Sequence, residues 1–143
     1  MCVRRSYLRY RDELVCARSV QCQHLQQALQ QMNVQLHQVL SDVTGVSGLR
    51  IIEAILTGER NGRTLARLAD RRVRASQATV EKALRGDYRA EHLFVLQTAF
   101  DLYQTYEQKI HLCDEQILAQ LAHLPARVDL NENFICLRHW PRS

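Results

Sequence analysis

Proline is almost absent from this chain, and glycine is confined to its middle. The two prolines are Pro125 and Pro141, and all five glycines lie within residues 45–86. The first 40 residues therefore contain no helix-breaking residue. After the glycine-containing segment, the next helix-breaking residue is Pro125. The two uninterrupted stretches are predicted to form long helices over residues 4–40 and 89–124.

Cysteine pairs, aromatic side chains and long apolar runs are also scarce. The five cysteines include no CxxC pair, and their odd number argues against a disulfide framework and for a reducing compartment. No apolar run approaches the roughly 18 residues that span a bilayer, and the first residues lack the apolar segment of a secretory signal. We therefore expect a cytoplasmic protein without a membrane partner.

Catalytic and metal-binding patterns are missing as well. The six histidines have no spacing typical of a zinc site. No Ser/His/Asp arrangement, glycine-rich phosphate loop or pair of carboxylates is visible. The sequence therefore predicts no catalytic residue, no metal and no cofactor in this chain, and it leaves open whether the chain belongs to an enzyme.

A seven-residue hydrophobic period runs through both long stretches. In the first, the two heptad positions are held by Leu8, Val15, Cys22, Leu29, Leu36 and Val43, and by Leu25, Met32 and Val39. In the second, the same alternation is held by Leu93, Leu96, Phe100, Tyr103, Ile110, Ile117, Leu121 and Leu124. Such spacing gives each helix a narrow apolar seam that must pack on another helix.

The fold predicted from these seams is all-α, a long antiparallel, coiled-coil-like helical hairpin with a small helical head. We expect a single helical domain over residues 1–124, with the head over 41–88 and an irregular tail over 125–143. Remaining apolar surface on the long helices predicts a homo-oligomer. Because Arg11 and Arg18 fall on the seam, the start of the first helix should fray or contact something outside the chain.

Three short helices are predicted in the head, over residues 49–56, 64–69 and 77–84. Ser47 and Ser76 are the expected N-caps of the first and third, because a side-chain oxygen there accepts a bond from a free helical N–H. Gly58 and Gly86 are the expected stops.

The sharpest local motif begins at Val43 and reads Val-Thr-Gly-Val-Ser-Gly-Leu. It has the form of a helix-hairpin-helix turn, in which Gly45 and Gly48 permit positive φ and close backbone approach. The free amides of the following helix, near Val46, would then hold a phosphate. The alternative is a tight helix–helix turn with Val46 packed into the core.

Positive charge is concentrated in the second half of the head. Residues 60–89 hold nine basic residues against three acidic ones, whereas residues 90–124 have a net charge of −4. Of the chain's 19 basic residues 17 are arginine, which reflects either a GC-rich genome or phosphate binding by guanidinium forks. The candidate nucleic-acid-binding residues of the turn are Gly45, Val46 and Gly48. The further candidates are Arg50, Arg60, Arg63, Arg67, Arg71, Arg72, Arg74, Lys82 and Arg85.

Five of these arginines, at positions 60, 63, 67, 71 and 74, recur at steps of three and four. A helix through them would gather all five on one face, and binding by such a face would depend strongly on salt. A solvated charged face is the equal alternative.

Two stretches resemble a known family. Residues 27–37 read Gln-Ala-Leu-Gln-Gln-Met-Asn-Val-Gln-Leu-His, and residues 41–52 read Ser-Asp-Val-Thr-Gly-Val-Ser-Gly-Leu-Arg-Ile-Ile. With further similar segments up to Cys113-Asp-Glu, the chain resembles, over roughly residues 4–120, the central helical region of bacterial insertion-sequence transposases of the DEDD (RuvC-like) type, the IS-one-ten family.

The resemblance implies DNA and a guide-type RNA as partners, and a helical region that helps to assemble subunits. In that family an acidic tetrad holding Mg²⁺ and a C-terminal serine domain carry catalysis. The resemblance places the tetrad before Met1 and the serine beyond Leu124, so we expect a truncated transposase fragment that is inactive alone. The alternative is a stand-alone helical protein-interaction module without a nucleic-acid role.

Overall fold

The computed structural model describes residues 3–123 of the 143-residue chain, and all regular structure in that range is α-helical. Six helices follow one another: α1 (Val3–Gln31), α2 (Leu36–Val39), α3 (Val46–Leu56), α4 (Gly62–Arg67), α5 (Gln77–Ala83) and α6 (Ala90–Ala122). The long helices α1 and α6 pack against each other, which confirms the all-α hairpin. The predicted tail over 125–143, and Pro125 as a helix stop, lie outside the described residues.

This part of the chain divides into two compact units. The terminal unit comprises residues 3–18 with 104–123, and the central unit comprises residues 19–103. Because α1 and α6 each contribute residues to both units, the single domain expected over residues 1–124 stays a prediction.

The terminal unit is a pair of antiparallel helix segments with a small core. Leu14, Ile110 and Cys113 are buried together. Beside this core, the Arg11 guanidinium donates to Asp114, and the Arg18 guanidinium donates to Glu107. The partners of the two seam arginines are thus residues of α6, whereas the expectation that this end frays or contacts something outside the chain stays a prediction.

The central unit holds the main core. Its fully buried side chains come from every helix in it and include Leu25, Leu36, Ile52, Leu65 and Leu96. Leu29 and Leu36 are buried in one cluster with side chains of α6, among them Leu96 and Phe100.

The first helix ends at Gln31, so the prediction of a helix over 4–40 is wrong. Asn33 has a positive φ of 58°, and the N–H groups of Asn33 and Val34 donate to the carbonyls of Gln30 and Leu29. This is a Schellman motif, in which a left-handed residue closes the helix. The heptad pattern gave no sign of this helix end, because Leu36 is still buried although it lies on the short helix α2 and not on α1.

The short helices of the head differ from prediction mainly at their starts. The helix α3 begins at Val46 with Gly45 as its N-cap, so Ser47 is not the cap. The helix α4 begins after Asn61, whose side chain accepts from the Arg63 N–H. The cap at Ser76 is confirmed, since its side chain accepts from the Thr79 N–H.

The predicted stop at Gly58 is also confirmed. Its φ is +105°, and it follows directly on Thr57, the C-cap of α3. The N–H of Glu59 donates to the carbonyl of Ala54, so α3 ends in the same motif as α1.

Candidate nucleic-acid interface

The turn into α3 is built around a close backbone approach at Gly48. A Cβ atom there would lie 1.8 Å from the Val43 carbonyl oxygen, so no larger residue fits. Close approach is therefore confirmed, but the positive φ expected at the two glycines of the turn is wrong. Gly45 has φ −71° as an extended N-cap, and Gly48 lies inside the helix.

The apolar residue buried by this turn is Val43, which is 3% exposed. Val46 is 65% exposed, so the alternative in which Val46 packs into the core is wrong. Ser47 accepts a hydrogen bond from the Asp70 N–H at 2.8 Å. This bond fastens the segment after α4 to the first turn of α3.

A groove of about 570 Å³ lies between these two segments. One side is formed by residues 39–42 and by Gly45, Val46 and Ser47, and the other by Asp70 and residues 72–74. Gly45 supplies no side-chain cap, so the first N–H groups of α3 are without an intrahelical or capping partner. Two of the residues that carry these groups, Val46 and Ser47, line the groove.

Arg72 and Arg74 bring positive charge to this groove. Both are exposed, and neither side chain has a hydrogen bond or ion pair within residues 3–123. The two carboxylates of the lining are engaged locally instead. Asp42 accepts from the Thr44 N–H and hydroxyl, and Asp70 accepts from the Arg72 N–H. The guanidinium groups are therefore available to an anion.

The predicted arginine helix face is wrong. The helix α4 ends at Arg67 and no helix resumes before Gln77, so of the five arginines only Arg63 and Arg67 lie on a helix. The segment of residues 68–76 instead places Arg72 and Arg74 in the groove, while Arg71 lines a neighbouring cavity of about 290 Å³.

Arg60 and Arg63 have structural partners. The Arg60 guanidinium donates to the Ile55 carbonyl oxygen at 2.6 Å and lies over the Tyr88 ring, 4.7 Å from its centroid. The Tyr88 hydroxyl donates to the Leu84 carbonyl, and burial raises the pKa of this phenol although Arg60 acts to lower it. Arg63 lies 3.8 Å from a Glu81 carboxylate oxygen. Sequence reasoning missed the Arg60–Tyr88 contact.

The other predicted residues are exposed at different places in the central unit. Arg50 on α3 and Arg67 on α4 do not line the groove at the start of α3, and their side chains have no partner among the described residues. Lys82, in the last turn of α5, and Arg85, just after the C-cap of this helix, line a second groove of about 420 Å³. The lining of this groove also includes residues that the sequence did not single out, namely Asn33, Gln35, Gln38 and Thr79.

Within residues 3–123, no group of three or more His, Cys, Asp or Glu side chains is placed to hold a metal ion. The same residues include no helix that is both long and apolar enough to cross a membrane. Comparison with protein-family models, with curated proteins and with solved structures finds no match.

Proposed function

We propose that the central unit binds the sugar-phosphate backbone of nucleic acid, DNA or RNA, in the groove at the start of α3. The observation that carries this proposal is the pair Arg72 and Arg74, two exposed guanidinium groups without partners in a groove that also presents uncapped helical N–H groups. Guanidinium forks and free amides are both donors that suit phosphate oxygens.

We further propose that the chain serves as the helical region of a DEDD-type insertion-sequence transposase, where it binds DNA or a guide-type RNA and helps to assemble subunits. The two stretches that resemble this family support the proposal, because residues within or beside them line the two grooves: residues 39–42 and 45–47 line the first, and Asn33, Gln35, Gln38 and Val39 line the second. We propose a cytoplasmic location and no strand cleavage by this chain alone.

The test is a salt titration of binding to a fluorescent oligonucleotide, followed by anisotropy. Arg72→Ala/Arg74→Ala should lower affinity and flatten the log–log salt slope by about 0.7–0.9 for each phosphate that the variant no longer neutralises. The matched control is Arg5→Ala/Arg9→Ala, which removes the same charge from exposed positions on α1 in the terminal unit. If wild type and the Arg72/Arg74 variant have equal affinities and equal slopes, the proposal is wrong.

The second candidate is a helical protein-interaction module, with a second copy of the chain as its expected partner. One observation favours it: α6 exposes apolar side chains in the central unit, with Phe94 72%, Val95 44% and Leu102 39% exposed. Sedimentation of wild type and Phe94→Ser tests this reading. A wild-type protein that stays monomeric at all concentrations would exclude the homo-oligomer.

A further inference from the structure

The second groove of the central unit has an unusual lining for a surface rich in ionisable residues. It contains three carboxamides, one hydroxyl, two cations and two apolar side chains, and no carboxylate. The residues are Asn33, Gln35, Gln38, Val39, Thr79, Lys82, Ala83 and Arg85. A carboxamide offers two donors and an acceptor, so the groove combines hydrogen bonding of both kinds with positive charge.

The hydrogen-bonding capacity of these amides is unused. The side chains of Asn33, Gln35 and Gln38 are exposed and have no hydrogen-bond partner among residues 3–123. The cations Lys82 and Arg85 likewise have no ion pair there. Groups of this kind on one surface remain free for a ligand.

The backbone holds this polar set in place. The left-handed conformation of Asn33 closes α1, and the Gln35 N–H then donates to the Ala83 carbonyl oxygen at 2.9 Å. That bond joins the segment after α1 to the end of α5, where Lys82 lies in the last turn of the helix and Arg85 follows its C-cap. The backbone segments that carry the amides and the positive charges are therefore joined by a main-chain hydrogen bond that side-chain substitutions leave intact.

The two grooves meet at one residue. Val39, at the end of α2, lines both the arginine groove and the carboxamide groove. A chain that followed both grooves would pass Val39 and meet cations in each of them. A nucleic-acid strand has this regular succession of anions, with a base attached at each step.

We propose that the carboxamide groove is a nucleobase subsite for single-stranded nucleic acid, with Gln35 and Gln38 bonding the base edge and Lys82 and Arg85 bonding its flanking phosphates. This rests on the proposed function and extends it from backbone binding to base reading. A volume of about 420 Å³ lies within the range of small-ligand sites. The edges of unpaired bases present donors and acceptors that carboxamides match.

A single strand fits this surface better than a duplex. In a duplex the Watson–Crick edges are already paired, whereas a splayed base exposes them to side chains. The apolar side chains of Val39 and Ala83 give the base a surface to lie on. The subsite therefore predicts a preference among bases, which Arg–phosphate contacts alone do not produce.

The experiment compares Gln35→Ala/Gln38→Ala with wild type on two single-stranded probes of equal length, one carrying bases and one abasic throughout. The variant should bind the base-carrying probe about tenfold more weakly, the order expected when hydrogen bonds to a base edge are removed. Its affinity for the abasic probe and its salt slope should not change. The control Gln26→Ala/Gln30→Ala, at exposed glutamines of α1 outside the groove, should behave as wild type on both probes.

The outcomes separate this inference from the proposed function. If wild type binds both probes equally, or if the Gln35/Gln38 variant keeps its full affinity for the base-carrying probe, the base subsite is wrong while backbone binding stands. If wild type shows no salt-dependent binding to either probe, both proposals are wrong. Circular dichroism melts of each variant confirm that weaker binding is not caused by unfolding.

Discussion

Two pairs of arginines, one in each unit, have opposite surroundings. In the terminal unit, Arg11 and Arg18 lie on the helix seam and donate to the carboxylates of Asp114 and Glu107. The hydrogen bond from Arg11 to Asp114 raises the pKa of this guanidinium above its ordinary value. In the central unit, Arg72 and Arg74 line a groove and have no such partners. An arginine count therefore says little about function until the partner of each guanidinium is known.

The same heptad position is charged in one unit and apolar in the other. Seven residues after Arg18 comes Leu25, and seven residues before Glu107 comes Phe100, and both apolar side chains are buried in the main core. The acidic residues of α6 that give it a negative charge thus include the partners of seam arginines. The negative charge of the second long helix is accounted for in part by these pairs, whereas Arg72 and Arg74 of the head have no partner among residues 3–123.

The largest expected effect is the difference in stability loss between substitutions in the two cores. Leu36→Ala removes a fully buried side chain of the central unit and should lower the free energy of unfolding by about 2–5 kcal/mol. Leu14→Ala, in the small core of the terminal unit, should cost about 2 kcal/mol or less, because few buried neighbours surround the cavity. Urea unfolding measures both. A larger decrease for Leu14→Ala than for Leu36→Ala would reverse the comparison.

A second substitution tests the turn that forms one wall of the arginine groove. Gly48→Ala would press a Cβ atom against the Val43 carbonyl, and overpacking of this kind costs about 1–3 kcal/mol. Gly45→Ala is the control, since its Cβ atom would meet the Asp42 carbonyl oxygen at 3.2 Å and can be relieved by a small shift. Thermal melts that fall equally for both variants would show that close approach at Gly48 is unimportant.

Much of the hairpin could be predicted from the sequence because heptads report burial directly. The second long helix is an example, predicted over 89–124 and observed as Ala90–Ala122. The end of α1 could not be predicted in this way, because Leu36 is buried whether the helix continues or turns. The one local signal was Asn33, a residue type that tolerates a left-handed conformation.

The candidate site was harder to predict, because a periodic spacing of arginines predicts a face only if the segment is a helix. The chain leaves the helix at Arg67, and the side chains that follow are distributed by a loop. Of the two turn glycines, Gly48 alone is required for the predicted reason, a close approach of the backbone. The glutamines of the second groove could not be singled out, since nothing in the sequence shows that they share a groove with Lys82.

Stability should distinguish the paired arginines from the unpaired ones. A double-mutant cycle of Arg11→Ala and Asp114→Ala should give a coupling energy of about 0.2–1 kcal/mol, the range for partly exposed pairs, because both side chains are about two-fifths exposed. High salt should reduce it. Arg72→Ala/Arg74→Ala should leave stability unchanged within about 0.5 kcal/mol. Comparable destabilisation by the groove variant would mean that these arginines also have a structural role.

The smallest expected effect is chemical and reports whether the terminal unit stays closed. Cys113 is buried in its small core, and burial together with the Asp114 carboxylate raises the pKa of its thiol, although Arg11 acts to lower it. Alkylation proceeds through the thiolate, so Cys113 should react with iodoacetamide more slowly than the exposed Cys16 at the same pH. Peptide mass spectrometry measures both rates, and urea should abolish the difference. Equal rates in the native protein would show that this unit opens readily, and its paired arginines would then be as accessible as those of the groove.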